Sequence, residues 1–210
     1  MAVTKLYLIR HGESEANAAR IFIGHTDKDL TEKGHRQAEN TAEFLKDLSV
    51  DVIYASDLLR AYHTAEHTAA RHGLPVIPTE DLREIYAGDW EQVWVEDLFR
   101  LFPDSYGTWR NDIGLARCDG GESVASVQTR IGAAIARIAE KHPGQTVLLF
   151  THATPIRAAA ALWKGLPLER MKELPWASNA SVTVAEYEDG VFRLLEYGID
   201  GFQGELKGRV

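Results

Sequence analysis

Two arginines and two histidines in this sequence follow short apolar segments and have the chemistry to bind and attack a phosphate. Arg10 and His11 come directly after the first apolar segment. His152 directly follows the most apolar one, and Arg60 lies a few residues beyond another. A guanidinium group is always charged and holds tetrahedral oxyanions through forked hydrogen bonds. A neutral imidazole is a good nucleophile at neutral pH, so the four side chains predict a site that transfers a phosphoryl group to histidine.

Further candidate contacts to a phosphate or a substrate lie near these side chains in the sequence. The segment after Gly12 predicts a helical turn, whose free N–H groups and the Asn17 amide would donate to phosphate oxygens. We also assign Ile23, Gly24 and Ala153 to substrate binding. These positions extend the predicted site beyond its charged and titratable groups.

Phosphoryl transfer also needs a proton for the leaving oxygen, from a carboxyl group with a raised pKa or from water. Glu84 is the candidate acid, because it follows a predicted strand end and Tyr86 and Trp90 are close enough in sequence to desolvate it. Other acids near it in the sequence are the alternatives, namely Glu80, Asp81 and Glu91.

Each of these side chains also has an ordinary structural interpretation. Arg10 and His11 could simply end a strand at the surface. Arg60 could be a solvated helical arginine, and His152 could be a buried histidine with its hydrogen bonds satisfied. The phosphate interpretation therefore depends on whether the fold brings all four together.

Two further patterns favour structural roles. His63 and His67 are four residues apart on a predicted helix, a spacing that metal ligands use, but no third ligand accompanies them. We therefore interpret them as part of a solvated face and predict no metal site. Glu122 and Ser123 follow two glycines and are typical of the beginning of a helix.

The elements that must position the candidate residues alternate between strands and helices. Apolar runs predict buried strands, and helical spacing of small and apolar residues predicts helices between them. This pattern predicts an α/β domain with a mostly parallel sheet, helices on both faces and an antiparallel edge. In such a sheet ligands bind at the carboxyl ends of the strands, where three of the candidate groups lie. The predicted strands are residues 4–9, 50–56 and 146–151, the predicted helices 31–48, 57–73, 123–144 and 155–165, and the predicted hairpin 180–198.

The remaining segments have weaker patterns. Residues 91–102 predict a helix, and residues 103–121, with Pro103 and several glycines, predict loop and short helix. The segment 197–210 would either fold over the pocket or be disordered. With no internal repeat or linker, we predict one domain over residues 1–210.

Composition excludes several classes of function. The formal net charge is −8, from 23 Lys and Arg against 31 Asp and Glu, which argues against nucleic acid or an anionic membrane as partner. An anionic substrate must therefore be attracted by a local basic pocket. One cysteine, Cys118, suits a reducing cytoplasm, and no apolar run is long enough to span a membrane. The sequence leaves the oligomeric state open, with a homodimer as one possibility.

Five segments resemble successive motifs of the histidine phosphatase superfamily, also called phosphoglycerate-mutase-like: LIRHGESEAN, IYASDLLRAYHTA, REIYAGDWE, GGES and LLFTHATPIRA. The resemblance spans residues 6–157 and implies a three-layer α/β/α sandwich with a phosphohistidine on His11. It implies that Arg10, Arg60 and His152 form the rest of the phosphate pocket, with Glu84 as proton donor. No metal or organic cofactor is expected.

The sequence departs from the family pattern at two positions. Ala153 stands where the residue after the second histidine is usually glycine, and Gln92 stands where glycine is more usual. Neither change touches a group assigned to the chemistry. Both bear on the shape of the substrate.

Three functions are compatible with these motifs: a phosphomonoester hydrolase, a phosphoglycerate mutase, and a non-catalytic domain that binds a phosphorylated ligand. Mutases of this family carry an insert with paired arginines, whereas Arg100, Arg110 and Arg117 occur singly here. We therefore expect a hydrolase acting on a small phosphorylated metabolite, such as phosphoserine, a sugar phosphate or α-ribazole phosphate. The segment 90–109 is rich in aromatic residues and serves either as core or as the substrate lid that this family builds there.

Overall fold

The structure, a computed structural model, describes residues 2–208 and is built around one large sheet. The strands are β1 (Thr4–Arg10), β2 (Ile21–Phe22), β3 (Val52–Ala55), β4 (Val76–Pro78), β5 (Val93–Trp94), β6 (Thr146–Thr151), β7 (Val182–Glu188) and β8 (Val191–Ile199). The helices are α1 (Glu15–Ala19), α2 (Glu32–Phe44), α3 (Leu59–His72), α4 (Val95–Leu101), α5 (Pro103–Asn111), α6 (Val124–Lys141) and α7 (Ala153–Trp163).

The large sheet has the strand order β4-β3-β6-β1-β7-β8. Its first four strands are parallel, whereas β7 pairs antiparallel with β1 and β8 antiparallel with β7. The predicted parallel sheet with an antiparallel edge is therefore confirmed. Since β1 and β6 are neighbours, the residues that follow them meet at one edge of the sheet.

Helices cover both faces of this sheet. Alternate residues of β1 point to opposite sides, so that Leu6 and Leu8 belong to one hydrophobic cluster and Ile9 to the other. The first cluster includes apolar residues of α6 and α7, and the second includes Ala65 and Ala69 of α3, against which α2 packs. The fold is thus the expected three-layer α/β/α sandwich.

Local signals at the helix ends are confirmed. Thr31 caps α2 by accepting the N–H of Gly34, and Ser123 caps α6 by accepting the N–H of Ser126. Gly73 ends α3 in the left-handed conformation, with φ of 64°. Removing such an N-cap side chain costs about 1 kcal/mol, which explains why these short signals locate helix boundaries well.

The segment 91–102 differs from its prediction as one helix. Gln92 has a left-handed backbone, with φ of 64°, which a helix cannot contain. Val93 and Trp94 then form β5, which pairs antiparallel with β2 in a separate two-stranded sheet, and only α4 is helical. Residues 103–121 contain the predicted short helix, which is α5.

The C-terminal segment follows neither alternative suggested by the sequence. A short 3₁₀ helix, Gly201–Leu206, packs on α2 and not over the pocket. The ring of Phe202 stacks on Phe44 at 4.3 Å, and the side-chain amide of Gln37 donates to the carbonyl of Leu206 at 2.7 Å. The prediction for residues 209–210 lies outside the described residues. Across residues 2–208, none of the helices combines the length and the apolar character that a membrane crossing requires.

Candidate active site

The carboxyl ends of β1 and β6 bring the two candidate histidines together. Arg10 lies opposite Thr151 in the sheet, and the N–H of His11 donates to the carbonyl of Thr151 at 3.0 Å. The next residue of that strand end is His152, and its ring lies 5.1 Å from the ring of His11, centroid to centroid. Parallel pairing alone therefore creates this histidine pair.

The tautomer of His11 follows from one hydrogen bond. Its Nδ1 lies 2.7 Å from the carbonyl oxygen of Gly12. Because a carbonyl only accepts, Nδ1 carries the hydrogen and Nε2 carries the lone pair. The side chain is 4 % exposed, so that its orientation is restrained by the surrounding protein. The Nε2 of His11 is therefore the ring nitrogen that carries no hydrogen.

The turn after His11 is held by a close approach of backbones. A Cβ atom on Gly12 would lie 2.5 Å from the carbonyl oxygen of Gly34 in the first turn of α2. The N–H of Gly12 also donates to the hydroxyl of Thr64 at 3.0 Å. A glycine is thus required here because α2 passes directly over the turn.

His152 is completely buried, and one of its two ring nitrogens is hydrogen-bonded within the protein. Its Nε2 lies 2.9 Å from the hydroxyl oxygen of Ser56, at the end of β3. That hydroxyl also accepts the N–H of Leu58 at 3.4 Å, which leaves its own hydrogen for Nε2. The Nδ1 of His152 has no partner among the described residues. This arrangement favours an Nδ1–H that is free to donate to a bound oxyanion.

Arg10 and Arg60 form no ion pair with a carboxylate of the described residues. Arg10 donates to the carbonyl of Ala177 at 2.5 Å, and Arg60 donates to the carbonyl of Gly24 at 2.7 Å. Burial lowers the pKa of Arg10 to about 10 and also lowers the pKa of Arg60, although the charge of Glu84 opposes both shifts. Both guanidinium groups remain charged at neutral pH, so the site holds uncompensated positive charge.

Glu84 lies beside this cluster and is 8 % exposed. One carboxylate oxygen accepts the N–H of Ile85 at 2.8 Å, and the other faces the N–H of Thr154 at 3.3 Å, at the start of α7. The aromatic residues near it in sequence make other contacts: Tyr86 packs on His25, and Trp90 packs among four other aromatic rings. Backbone donors, then, fix the carboxyl group of Glu84.

The loop that carries Gly24 is organised by a carboxylate that the sequence offered only as an alternative acid. Glu91 accepts the N–H groups of Gly24 at 3.1 Å, of His25 at 2.7 Å and of Thr26 at 3.1 Å. Burial raises the pKa of Glu91, but these hydrogen bonds lower it by more, so that the net shift is downward. Both backbone groups of Gly24 are therefore occupied, by Glu91 and Arg60, so Gly24 supports Arg60, while its contact with substrate stays a prediction.

A cavity of about 600 Å³ opens beside these groups. Among the predicted site residues, the cavity is lined by Arg10, Asn17, Ile23, Glu84 and Ala153. The aromatic residues of the segment 90–109 differ in their surroundings, and the substrate lid stays a prediction. Trp90 is fully buried core, whereas Tyr106 and Trp109 line the cavity, and Trp94 and Phe99 are exposed.

Two supporting residues were missed by sequence reasoning. The side-chain amide of Asn179 donates to the carbonyls of His11 at 3.1 Å and Gly12 at 3.2 Å, and Asn179 lines the cavity. Arg130 pairs with Glu122 at 3.0 Å and donates to the carbonyl of Glu84 at 3.1 Å. Asn179 precedes β7, an antiparallel strand whose amino end lies beside the carboxyl ends of the parallel strands. Its position before the predicted hairpin was therefore the sequence signal that could have placed it at the site.

The two remaining patterns have structural roles. His63 pairs with Asp29 at 2.6 Å, while His67 lies 3.1 Å from His35, so the two histidines engage different partners. Within residues 2–208 no group of three or more candidate ligands is arranged to hold a metal ion. Ser123 caps α6, as predicted.

The two site histidines make stability depend on pH. Burial lowers the pKa of His11 well below its usual value, and the positive charges of Arg60 and Arg10 lower it further. Burial and Arg60 do the same to the pKa of His152. Below about pH 6.5 the unfolded chain binds protons that these folded histidines exclude, so the free energy of unfolding falls as the pH falls.

We expect this loss to approach about 1.4 kcal/mol per pH unit for each histidine. Urea unfolding between about pH 5 and pH 7.5 measures it, above the range where carboxylates titrate. The variant carrying both His11→Asn and His152→Asn should have a much flatter profile. A double variant with the wild-type slope would contradict the assignment.

The sequence model described as histidine phosphatase superfamily, branch 1, matches residues 6–200. This chain belongs to the histidine phosphatase superfamily. The match covers both histidines and both arginines of the cluster, and the family resemblance of the five motifs is thereby confirmed.

Individual relatives within the histidine phosphatase superfamily are similar over most of their length. The chain is 34 % identical over 207 residues to phosphoserine phosphatase 1 of Hydrogenobacter thermophilus, covering 97 % of this chain and 96 % of the relative. It is 35 % identical over 191 residues to phosphoglycerate mutase-like protein 4 of Arabidopsis thaliana, covering 89 % and 80 %. The solved structure of YhfR from Bacillus stearothermophilus superposes with a TM-score of 0.90 at 33 % identity, covering 95 % and 98 %.

Proposed function

We propose that this protein is a phosphomonoester hydrolase that acts on a small phosphorylated metabolite through a phosphohistidine on His11. The observation that carries the proposal is the His11 imidazole itself. Its Nδ1 is hydrogen-bonded to the carbonyl of Gly12, so its Nε2 presents a lone pair near the buried Arg60 and the partly buried Arg10, and neither arginine forms an ion pair with the described residues. A phosphate dianion supplies the negative charge that this cluster lacks.

In the first step Arg10, Arg60 and the Nδ1–H of His152 hold the phosphate oxygens. The Nε2 of His11 attacks phosphorus, and the bond between phosphorus and the substrate oxygen breaks. Glu84 gives its proton to that leaving oxygen, which departs as an alcohol. The guanidinium groups stabilise the charge on the equatorial oxygens, and they do so strongly because the site is buried.

In the second step water replaces the alcohol. Glu84, now a carboxylate, takes a proton from the water while the oxygen of that water attacks phosphorus. The phosphorus–nitrogen bond breaks, inorganic phosphate leaves, and the electron pair returns to Nε2 of His11. The backbone donors Ile85 and Thr154 keep the Glu84 carboxyl group in one position through both steps.

A mutase would return the phosphoryl group to a second oxygen of the substrate, and a binding domain would carry out neither step. The complete set of His11, His152 and Glu84 favours catalysis over simple binding. Between residues 85 and 120, Arg110 is the one arginine that lines the cavity, without the adjacent arginine expected of a mutase. The relative named as a phosphoserine phosphatase supports hydrolysis, and the one named as mutase-like makes the mutase the alternative.

The proposal includes several finer expectations from the sequence. The enzyme uses no metal or organic cofactor, forms one domain over residues 1–210, and acts in a reducing cytoplasm, alone or as a homodimer. Its partners are small phosphorylated substrates, and neither nucleic acid nor membrane takes part.

A phosphate-release screen over phosphomonoesters, run with and without a chelator, tests this function. Phosphoglycerate mutase activity is assayed in parallel. Release of phosphate that is insensitive to chelation is the expected result. Interconversion of 2- and 3-phosphoglycerate without net release would instead establish a mutase, and binding without any turnover would establish the non-catalytic alternative.

A further inference from the structure

The cavity contains a buried arginine, Arg157, that takes no part in the proposed phosphate chemistry. Arg157, in the middle of α7, is 5 % exposed and lines the same cavity as Arg10 and Glu84. No carboxylate of residues 2–208 lies within ion-pair distance of it. A buried charge without a partner is strongly unfavourable, so this guanidinium group requires an explanation.

The hydrogen bonds of Arg157 are also largely unused. Its Nη2 donates to the carbonyl of Lys172 at a long 3.3 Å, and its Nε has no acceptor among the described residues. The guanidinium carbon lies 4.5 Å from the ring centre of Trp176, which packs against one face of the group. Burial lowers the pKa of Arg157, as expected for a cation with no anion beside it. Stacking on Trp176 leaves the edges of the guanidinium group as donors for a planar anion.

Arg157 lies where it can reach the alcohol part of a phosphate ester bound at the histidines. Helix α7 begins at Ala153, directly after His152, and Arg157, four residues later, lies about 6 Å further along the helix axis at ~1.5 Å per residue. Arg10 and Arg60 are the arginines whose charges lower the pKa of His11, and Arg157 is not among them. Lys172, an exposed cation that lines the same cavity, is paired with Asp112. Arg157 is therefore available to bind an anionic group a few bonds away from the phosphate.

We infer that Arg157 binds a carboxylate on the alcohol part of the substrate, so that the preferred substrates are phosphate esters of small hydroxy acids or hydroxy amino acids. This inference rests on the proposed hydrolase function. A carboxylate is planar and matches the fork of a guanidinium group with two parallel hydrogen bonds. A neutral sugar or nucleoside would leave the charge of Arg157 uncompensated.

Two pairs of esters that differ at the carboxylate test the inference on the wild-type enzyme. Phosphoserine is compared with phosphoethanolamine, and 3-phosphoglycerate with glycerol 3-phosphate. We expect kcat/KM to be at least about tenfold higher for the carboxylate member of at least one pair, mainly through a lower KM.

The variant Arg157→Gln should bring that ratio close to one, and Arg157→Lys should recover part of it because a lysine keeps the charge but not the fork. Arg110→Gln, which removes an exposed arginine of the same cavity, should retain the preference.

The outcomes separate this inference from the proposed function. Phosphate release at equal kcat/KM within both pairs, or a preference that survives Arg157→Gln, overturns the carboxylate site while leaving the hydrolase intact. Loss of the preference in Arg110→Gln alone would move the site to that residue and also overturn the inference. Release from none of the four esters also overturns the carboxylate site, and the broader phosphate-release screen then decides whether the hydrolase function stands. If Arg157→Gln does not fold, the wild-type ratios and Arg157→Lys still decide.

Discussion

Replacing His11 by alanine should reduce phosphate release by at least about 10⁴-fold, because the variant has no atom to form the covalent intermediate. The fold should survive, since the turn at Gly12 is also fixed by Thr64 and by its close packing on Gly34. Circular dichroism and the thermal midpoint check the fold, and steady-state release checks the activity.

Labelling separates the two histidines. Wild-type enzyme quenched during turnover of a ³²P-labelled ester should carry label that is stable to alkali and labile to acid, as a phosphoramidate is. His11→Ala should carry none. His152→Ala should turn over slowly but still become labelled, since His152 only donates to the phosphate in this mechanism. A folded His11→Ala enzyme that is labelled, or that keeps activity within about tenfold of wild type, would show that His11 is not the nucleophile.

Replacing Glu84 by glutamine should slow the hydrolysis of alkyl phosphates by about 10²- to 10⁴-fold, the usual contribution of general acid–base catalysis. The variant keeps an oxygen to accept the N–H of Ile85 but has no proton to give the leaving alcohol. A nitrophenolate leaves without protonation, so the first step with p-nitrophenyl phosphate should be far less affected. The difference between the two substrates identifies the acid.

Rapid-mixing kinetics measures this difference in the rate of the first step directly. With p-nitrophenyl phosphate, Glu84→Gln should release one equivalent of nitrophenolate quickly and then turn over slowly, because Glu84 also activates the water of the second step. The matched control is Glu91→Gln, which loosens the loop around Arg60 and should slow both substrates to a similar extent. Equal losses on both substrates for Glu84→Gln, without a burst, would assign the acid to another group.

Both experiments concern side chains, His11 and Glu84, whose positions are fixed by hydrogen bonds from different residues. His11 is fixed by backbone carbonyls and by Asn179, while Glu84 is fixed through its own carbonyl by Arg130. Neither supporting residue touches the proposed reacting atoms. We regard Asn179 and Arg130 as positioning residues, since their side chains hydrogen-bond to the backbone of His11 and Glu84.

Much of the fold could be predicted because its signals are local. A strand buried on both faces is a short apolar run, and a helix start is a side chain that accepts the N–H three residues later, as Thr31 and Ser123 do. The prediction of one helix over residues 91–102 is wrong for the opposite reason, because the structure there depends on a distant segment. Val93 and Trp94 became a strand because they pair with Ile21 and Phe22, some seventy residues away, and no local pattern records that partner.

The sequence by itself placed Arg10, His11 and His152 at the carboxyl ends of parallel strands, the edge of the sheet where ligands bind. The strand order of the folded sheet decided that β1 and β6 are neighbours and that these residues meet. Only the tertiary structure decided which nitrogen of His11 is free, that Glu91 supports Arg60, and that Arg157 is buried without an anion. Each of these depends on hydrogen bonds and packing between distant segments, whose geometry is set when the elements pack. The type and spacing of residues predicted the reaction. The packing around them decides which side chains line the cavity and can bind the alcohol part of the substrate.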